Sequence, residues 1–235
     1  MKLVKLLANL GYGSRKEAEK LIKSGAVTDR DGKVLGAKDF PGAEHVRVLG
    51  EHIDPVAPLV IVINKPNGYT CSTEDPGETI YDLLPPRFSK RNPGLNPVGR
   101  LDKDTTGLLL VTDDGKFLHQ VIHPKSGCLK VYHAVLARPL RGDEGELFGS
   151  GELLLESETK PLLPAGFEGL GENEALITLH EGRYHQVRRM FASVGNHVVS
   201  LKRISIGGLK LPEELAEGEW RAVSDEERAA LFAKD

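Results

Sequence analysis

One stretch decides the fold of this chain: Gly99-Arg-Leu-Asp102-Lys-Asp-Thr-Thr-Gly107-Leu-Leu-Leu-Val-Thr-Asp-Asp-Gly115. The apolar run that begins at Gly107 predicts a buried strand, and the glycines around it favour turns. Asp102 lies beside an arginine in the turn before that strand. A carboxylate held at the edge of a sheet can be shielded from water and can act as a reagent. Aspartates at turns are often structural instead, so other motifs have to decide between the two interpretations.

The size and composition indicate a globular protein without metal or membrane segment. The 235 residues are 40% hydrophobic and 28% charged, which suits one large domain or a small and a medium one. No run approaches the roughly 18 apolar residues of a membrane helix, and the N-terminus does not read as a signal peptide. Cys71 and Cys128 are far apart, and His119 and His123 lack a third ligand. We therefore expect a cytoplasmic protein with no disulfide, metal or cofactor.

The charge is unevenly distributed, although the net charge is only −3. Residues 1–25 carry a net charge of +4, and residues 183–210 hold six Lys or Arg and no acidic residue. Residues 141–181 carry −8 and residues 212–235 carry −5. Two basic segments on an acidic body indicate that one face binds phosphates, as in proteins that bind nucleic acids. Two solvated basic faces without a ligand are the alternative interpretation.

The first segment predicts a small domain that ends at a proline-rich break. Leucines at helical spacing predict a first helix, and Ser14-Arg-Lys-Glu17 is a capping box for a second one. Lys16, Lys20 and Lys23 would share its outer face. Asp31-Gly32 predicts a hairpin turn after it. Two prolines within 54–58 favour an extended linker, so we expect domains at 1–54 and 59–235 joined by 55–58.

The remaining chain alternates short strands with a few helices, which predicts an α+β domain with a mixed, mainly antiparallel sheet. Strands are expected at 59–64, 107–112, 129–137, 151–156, 175–179 and 198–202. Helices are expected at 79–84, 116–122, 142–149, 184–194 and 225–232.

The N-terminal motifs resemble the S4 RNA-binding domain. The resemblance is carried by Leu6-Leu-Ala-Asn-Leu-Gly-Tyr-Gly-Ser-Arg-Lys-Glu-Ala-Glu19 and by Gly25-Ala-Val-Thr28. It implies that the basic second helix lies along an RNA backbone, with contacts from Arg15, Lys16, Lys20 and Lys23. A DNA-binding helix-turn-helix is the alternative, but the hairpin that follows at once and the modest overall charge disfavour it.

The Asp102 segment is similar to the catalytic motif of pseudouridine synthases that act on ribosomal RNA. These enzymes break the bond between N1 of a uridine and its ribose, turn the base and rejoin it through C5. The resemblance implies that Asp102 is the essential catalytic residue, which attacks the sugar or the base or stabilises charge on the sugar. It also implies that Arg100 pushes into the RNA stack where the target nucleotide flips out, which is physically sensible because flipping leaves a gap.

Two further motifs extend the resemblance. In Lys130-Val-Tyr132-His-Ala-Val135, the family pattern implies that Tyr132 stacks on the target base, although a strand tyrosine is usually a core residue. Gly182-Arg183-Tyr-His185-Gln precedes an amphipathic helix. The family pattern implies that Arg183 keeps Asp102 ionised and oriented, with Arg188 as the alternative. His185, Arg188 and Arg189 are expected to contact RNA.

The motifs cover almost the whole chain and follow one another in the order that the family shows. They include Asn64-Lys-Pro-Asn-Gly68. The chain is most similar to the RsuA-type pseudouridine synthases of small-subunit (16S) ribosomal RNA, because Tyr184-His-Gln-Val-Arg-Arg-Met-Phe fits that subgroup. The implied partner is ribosomal RNA or a small-subunit assembly intermediate. We expect a monomer, although no motif determines the oligomeric state. Two alternatives stay open: the same chemistry on 23S rRNA or tRNA, and a non-catalytic RNA-binding assembly factor.

Overall fold

The computed structural model describes residues 1–72, 76–123 and 126–233. The chain forms two compact units, each built from three segments. The first unit consists of Met1–Val60, Tyr81–Asn96 and Val111–Gly115. The second consists of Ile61–Ile80, Pro97–Leu110 and Lys116–Asp235. The domain boundaries given above, 1–54 and 59–235, stay a prediction.

The first unit is built around two short helices and a small sheet. Helices α1 (Leu3–Asn9) and α2 (Arg15–Lys23) pack over strands β1 (Val27–Thr28), β2 (Arg47–Val48) and β3 (Glu51–His52). The predicted capping box is present: the Glu17 amide donates to the Ser14 hydroxyl, and the Ser14 amide donates to the Glu17 carboxylate. The shared core is apolar and consists of Leu3, Leu6, Leu7, Leu10, Ala18, Ile22, Val27, Val46 and Val48. Short 3-10 helices lie at Ala43–His45 and Pro86–Lys90.

The expected hairpin after α2 is only partly formed. The turn is present, with Gly32 at φ +83° and its amide bonded to the Asp29 carbonyl. Beyond it, only one bridge joins Thr28 to Val34, and the antiparallel partner of β1 is β2. Val34 is 55% exposed, so the returning segment has too little apolar burial to extend the pairing.

The second unit contains most of a nine-stranded mixed sheet, in the order β12-β4-β6-β10-β7-β9-β8. The strands are β4 (Val60–Lys65), β5 (Asn96–Pro97), β6 (Thr105–Thr112), β7 (Lys130–Leu136), β8 (Gly166–Gly169), β9 (Glu174–Leu179), β10 (Val198–Ile206), β11 (Leu209–Lys210) and β12 (Trp220–Ala222). Strand β11 pairs with β10, and β5 pairs with β6. The β6–β10 pair is parallel, and the other pairs whose register is described are antiparallel. The predicted fold class is confirmed.

Gly107 is what allows β6 to pair with β10. Its φ is +95°, and a Cβ built there would lie 2.3 Å from the carbonyl oxygen of Arg203. Only glycine has both the conformational freedom and the small size for this approach. The pairing fixes the start of β6, three residues after Asp102.

The helices match the sequence pattern except at their ends. They are α3 (Gly115–Ile122), α4 (Glu144–Gly149), α5 (Gln186–Ser193) and α6 (Asp225–Ala230), with a 3-10 helix at Ile80–Leu83. Helix α5 buries the predicted face of Val187, Met190 and Phe191. It begins two residues later than expected because His185 has a left-handed backbone (φ 48°, ψ 35°). Among the described residues, no helix is long and apolar enough to cross a bilayer.

The strand expected at 151–156 is wrong. The segment has no regular secondary structure. Its amide at Glu152 donates to the Ser150 hydroxyl, Leu154 is 56% exposed, and Ser157 has a φ of 68°. The apolar run is only three residues long, with Glu152 and Glu156 at its ends, and Leu155 is the one leucine of the three that is buried, so the run is too short for a buried strand.

Candidate active site

A cavity of about 230 Å³ lies in the second unit, where the turn before β6 meets the turn before α5. It is lined by residues from those two turns and from strands β6, β7, β9 and β10 and helix α5. They are Arg100, Leu101, Asp102, Thr105, Tyr132, Leu179, Gly182, Arg183, Tyr184, His185, Gln186, Val187 and Leu201. The structure therefore brings together the three residues predicted to be catalytic, although each comes from a different motif.

Asp102 is held in its turn by its backbone and faces His185. The Thr105 amide donates to the Asp102 carbonyl at 3.1 Å, which closes the turn. The Asp102 Oδ1 atom lies 3.3 Å from His185 Nε2. Both side chains are about one-third exposed, at 32% and 37%. The carboxylate is thus partly shielded yet open to a substrate, and the left-handed backbone at His185 is what turns the imidazole toward it.

Lys65 holds the Asp102 turn through hydrogen bonds to backbone carbonyl groups. This lysine ends β4 and is completely buried. Its ammonium donates to the carbonyl oxygens of Pro66 (3.1 Å), Lys103 (3.1 Å) and Thr105 (2.8 Å). Burial lowers the pKa of Lys65, and the nearby carboxylates of Asp104 and Asp102 partly oppose that shift. The ammonium therefore fixes the backbone on the C-terminal side of Asp102.

Tyr132 is a buried wall of the cavity, with 9% of its surface exposed. It lies opposite Arg203 in the register of β7 and β10. Arg203 is 3% exposed; its Nε donates to the Leu108 carbonyl (2.8 Å) and its Nη1 to the Tyr132 hydroxyl (3.4 Å). In the part of the chain that is described, Arg203 Nη2 is buried without a partner. The buried guanidinium of Arg203 thus helps to hold the Tyr132 side chain in position.

The expectation that Arg183 pairs with Asp102 is wrong in this structure. Arg183 lines the cavity, but its guanidinium donates to Glu181 (3.0 Å) and Glu158 (3.2 Å) and to two backbone carbonyls. Burial lowers the pKa of Arg183, but the bonds and charges of the two glutamates outweigh it and raise the pKa. The guanidinium is occupied by this acidic pair and braces the 158–161 segment instead.

Arg188, the alternative partner, also contacts a different carboxylate. Its Nη2 lies 2.9 Å from Asp104 Oδ2, and its Nη1 donates to the Val198 carbonyl. Arg189 bonds to Glu158, to the Glu156 carbonyl and to the Tyr184 carbonyl. Over the described residues, the basic side chain within 4 Å of the Asp102 carboxylate is His185.

A second cavity, of about 380 Å³, adjoins the first one at the Asp102 turn. It shares five residues with the first cavity, namely Arg100, Leu101, Asp102, Tyr184 and His185. Its other lining residues are Thr70, Cys71, Ser72, Pro76 and Lys103. Burial raises the pKa of the Cys71 thiol, which accepts a long hydrogen bond from the Leu101 amide. Arg100 and Lys103 are exposed at this site, so both can meet a phosphate.

The basic residues predicted on α2 are all exposed in the first unit. Arg15 and Lys23 line a broad concavity of about 850 Å³ that also contains Lys2, Lys5 and Lys38. Lys16 and Lys20 lie on the same helix outside that lining. Their exposure leaves these side chains available for phosphate contacts, which stay a prediction.

Comparison with known proteins identifies the family. The family model for RNA pseudouridylate synthase matches residues 59–193, more than half of the chain, and the S4 domain model matches residues 1–28. The chain belongs to the RNA pseudouridylate synthase family. The resemblance of the Asp102 motif to pseudouridine synthases is therefore confirmed.

Relatives within this family match the chain along its length. A protein of Vibrio cholerae called ribosomal small subunit pseudouridine synthase A is 42% identical over 99% of this chain and 100% of its own length. The protein of the same name from Escherichia coli is 40% identical over 98% of this chain and 100% of its own. A crystal structure of a pseudouridylate synthase, 36% identical, covers 98% of this chain with a TM-score of 0.70.

The sequence reasoning missed three residues that the fold brings to this site. Lys65 belongs to the motif Asn64-Lys-Pro-Asn-Gly68 without a predicted role of its own; its position at the end of a β-branched apolar strand is the signal that could have identified it. Arg203 was counted only as part of a basic segment, and its burial depends on the register of β7 and β10. Tyr184 was used only to choose a subgroup, and nothing in its local sequence shows that its ring stacks on His185.

Proposed function

We propose that this pseudouridine synthase modifies one uridine of small-subunit (16S) ribosomal RNA, with Asp102 as the catalytic carboxylate. The observation that carries the proposal is that Asp102 lines one small cavity together with the buried ring of Tyr132, while its carboxylate contacts the imidazole of His185 at 3.3 Å. The choice of RNA is supported by the small-subunit enzymes of Vibrio cholerae and Escherichia coli, which match the chain over nearly its full length.

The proposed reaction is an isomerisation. The target nucleotide flips out of the RNA and its base enters the cavity, where the Tyr132 ring stacks on it. The bond between N1 and the ribose C1′ breaks with assistance from the Asp102 carboxylate, and C5 of the turned base bonds to C1′. C5 then loses its proton and N1 ends protonated, so the atoms balance and no electrons are transferred to a cofactor.

In this proposal, residues outside the cavity provide affinity for RNA. The exposed helix α2, in a proposed S4-like domain at 1–54, would follow the RNA backbone through Arg15, Lys16, Lys20 and Lys23. The proposed linker is 55–58, and the catalytic domain is 59–235. At the cavity itself, Arg100 would fill the gap left by the flipped nucleotide, and His185, Arg188 and Arg189 would contact the RNA.

The test is to map pseudouridine in the RNA of cells that lack this protein. We expect one small-subunit pseudouridine to be missing, restored by the wild-type gene and not by Asp102→Asn. Asp104→Asn is the matched control, because this carboxylate is two residues away, 61% exposed and paired with Arg188; it should restore the modification.

Every other outcome of the pseudouridine mapping contradicts one part of the proposal. Restoration by Asp102→Asn would exclude this carboxylate as the catalytic group. A pseudouridine missing from 23S rRNA or tRNA instead would overturn the choice of RNA. A complete set of pseudouridines in the deletion strain would contradict the proposed rRNA modification itself.

A further inference from the structure

Two adjoining cavities share the turn that carries Asp102, and the proposed reaction uses only one of them. The target base is assigned to the 230 Å³ cavity, which contains Tyr132. The adjoining 380 Å³ cavity is the larger of the two. Asp102, Tyr184 and His185 line both. A molecule in the second cavity would therefore lie next to the reacting nucleotide.

Tyr184 forms the exposed part of this shared wall. Its ring lies parallel to the imidazole of His185, with the centroids 3.9 Å apart and the planes inclined by 15°. The residue is nevertheless 71% exposed. A ring that has one face covered and most of its surface accessible presents its other face to solvent.

The backbone that carries the Tyr184 ring is held by hydrogen bonds from Arg189. Arg189 Nη1 donates to the Tyr184 carbonyl (3.2 Å) and to Glu158 Oε1 (2.9 Å), so the backbone beneath the ring is tied to a neighbouring segment. His185 is fixed in turn by its 3.3 Å contact with Asp102. The stacked pair of rings is thus held in place before any RNA arrives, which lowers the entropy cost of binding to it.

We infer that Tyr184 and the second cavity form a subsite for one unpaired base adjacent to the target uridine in the RNA. This inference rests on the proposed function and deepens it, because it names a second nucleotide that the same site recognises. The open face of Tyr184 stacks on the neighbouring base, and the exposed Lys103 neutralises the phosphate beside it.

The chemistry of base flipping favours this occupant. When the target nucleotide leaves the stack, the base on each side of it loses a stacking partner; Arg100 fills the gap beside one of them, and a protein aromatic ring can stack on the other. Stacking on an aromatic ring tolerates any base, since each base has a flat π-face. The subsite therefore strengthens binding of a strand with a flipped nucleotide without adding a strict sequence requirement.

The experiment compares wild type, Tyr184→Ala and Tyr184→Phe on the small-subunit rRNA fragment in which wild type forms pseudouridine. Two synthetic versions of that fragment carry an abasic ribose, one on the 5′ side and one on the 3′ side of the target. The dissociation constant is measured by filter binding, and the rate constant is measured in single turnovers at saturating RNA. Circular dichroism and thermal unfolding establish that each variant is folded.

We expect Tyr184→Ala to weaken binding of the intact RNA roughly 5- to 150-fold, the range of one lost base–aromatic stack. The same substitution should have little effect on one of the two abasic RNAs, where the stacking base is already missing. Tyr184→Phe keeps the ring and should bind as wild type does.

The opposite results overturn the inference. Unchanged binding by Tyr184→Ala, or equal weakening on intact and both abasic RNAs, would exclude a base on this ring. A slower rate at saturating RNA without weaker binding would mean that Tyr184 acts only by supporting His185. If wild type modifies another RNA instead, the proposed small-subunit function fails, and the same comparison on that RNA still decides the subsite.

Discussion

Replacing Lys65 with methionine keeps a side chain of similar length and removes the ammonium that ties the Asp102 turn to β4. Lys65 is completely buried and donates to three carbonyl oxygens, two of which belong to Lys103 and Thr105. Because these two residues follow Asp102 almost directly, the ammonium fixes the position of the carboxylate. We predict that Lys65→Met both lowers the free energy of unfolding and slows pseudouridine formation.

The size of the stability loss follows from the burial of the three bonds. The bond to the Thr105 carbonyl is buried, and a buried acceptor left without a donor costs about 1–3 kcal/mol. The other two bonds are partly exposed, so water replaces them at a cost of roughly 0.5 kcal/mol each. Removing a buried charge offsets part of this loss. We expect the free energy of unfolding to fall by about 2 kcal/mol.

The difference between the two proteins should grow at alkaline pH. Burial lowers the pKa of Lys65 in the folded state below its ordinary value of 10.5. Between that lowered pKa and 10.5, the unfolded chain binds more protons than the folded chain, so this group makes stability rise with pH. The Lys65→Met variant lacks this gain in stability. The difference in free energy of unfolding between wild type and the variant should therefore increase as the pH approaches 10.5.

Urea denaturation measures the stability, and single turnovers at saturating RNA measure the rate. A displacement of about 1 Å at a reacting group slows catalysis by roughly 100-fold, so we expect the rate of Lys65→Met to fall about 10- to 100-fold. Lys130→Met is the matched control, because Lys130 is also a lysine with a lowered pKa. Burial is the main cause of that lowering, and the charge of Arg203 adds to it. Among the described residues, Lys130 makes no hydrogen bond to the Asp102 turn. A wild-type rate and urea midpoint for Lys65→Met, or equal losses in the control, would refute the reasoning.

Two other predictions concern a pH-dependent ion pair and the basic helix. Hydrogen bonds from Arg221 lower the pKa of Glu227 to about 2, so its stabilising charge is fully present above pH 4.5 and is lost as the pH falls toward 2. Glu227→Gln should lower the free energy of unfolding by about 1 kcal/mol at pH 7, allowing for solvent screening, and by less at pH 3; a constant difference in urea denaturation would contradict this. Glutamine at all four basic positions of α2 should make the slope of log binding constant against log salt shallower by up to about 3, and an unchanged slope would exclude RNA contact by Arg15, Lys16, Lys20 and Lys23.

Local signals in the sequence predict much of the fold. The capping box at Ser14 depends on residues three apart, and the buried strand after Asp102 depends on an uninterrupted apolar run. Both appear as expected because the interactions that form them lie within a few residues. The same reasoning fails at 151–156, where the apolar run is only three residues long and a glutamate stands at each end.

The partners of the site residues were decided by tertiary structure alone. The sequence by itself determined which motifs belong to the site, since Asp102, Tyr132 and Arg183 all line one cavity. It did not determine that Arg183 bonds to Glu158 and Glu181, or that His185 faces Asp102. The reason is geometric: a long side chain bonds to whichever group lies within its reach. That group is set by strand register and by single backbone conformations such as the left-handed His185, which join residues far apart in the chain.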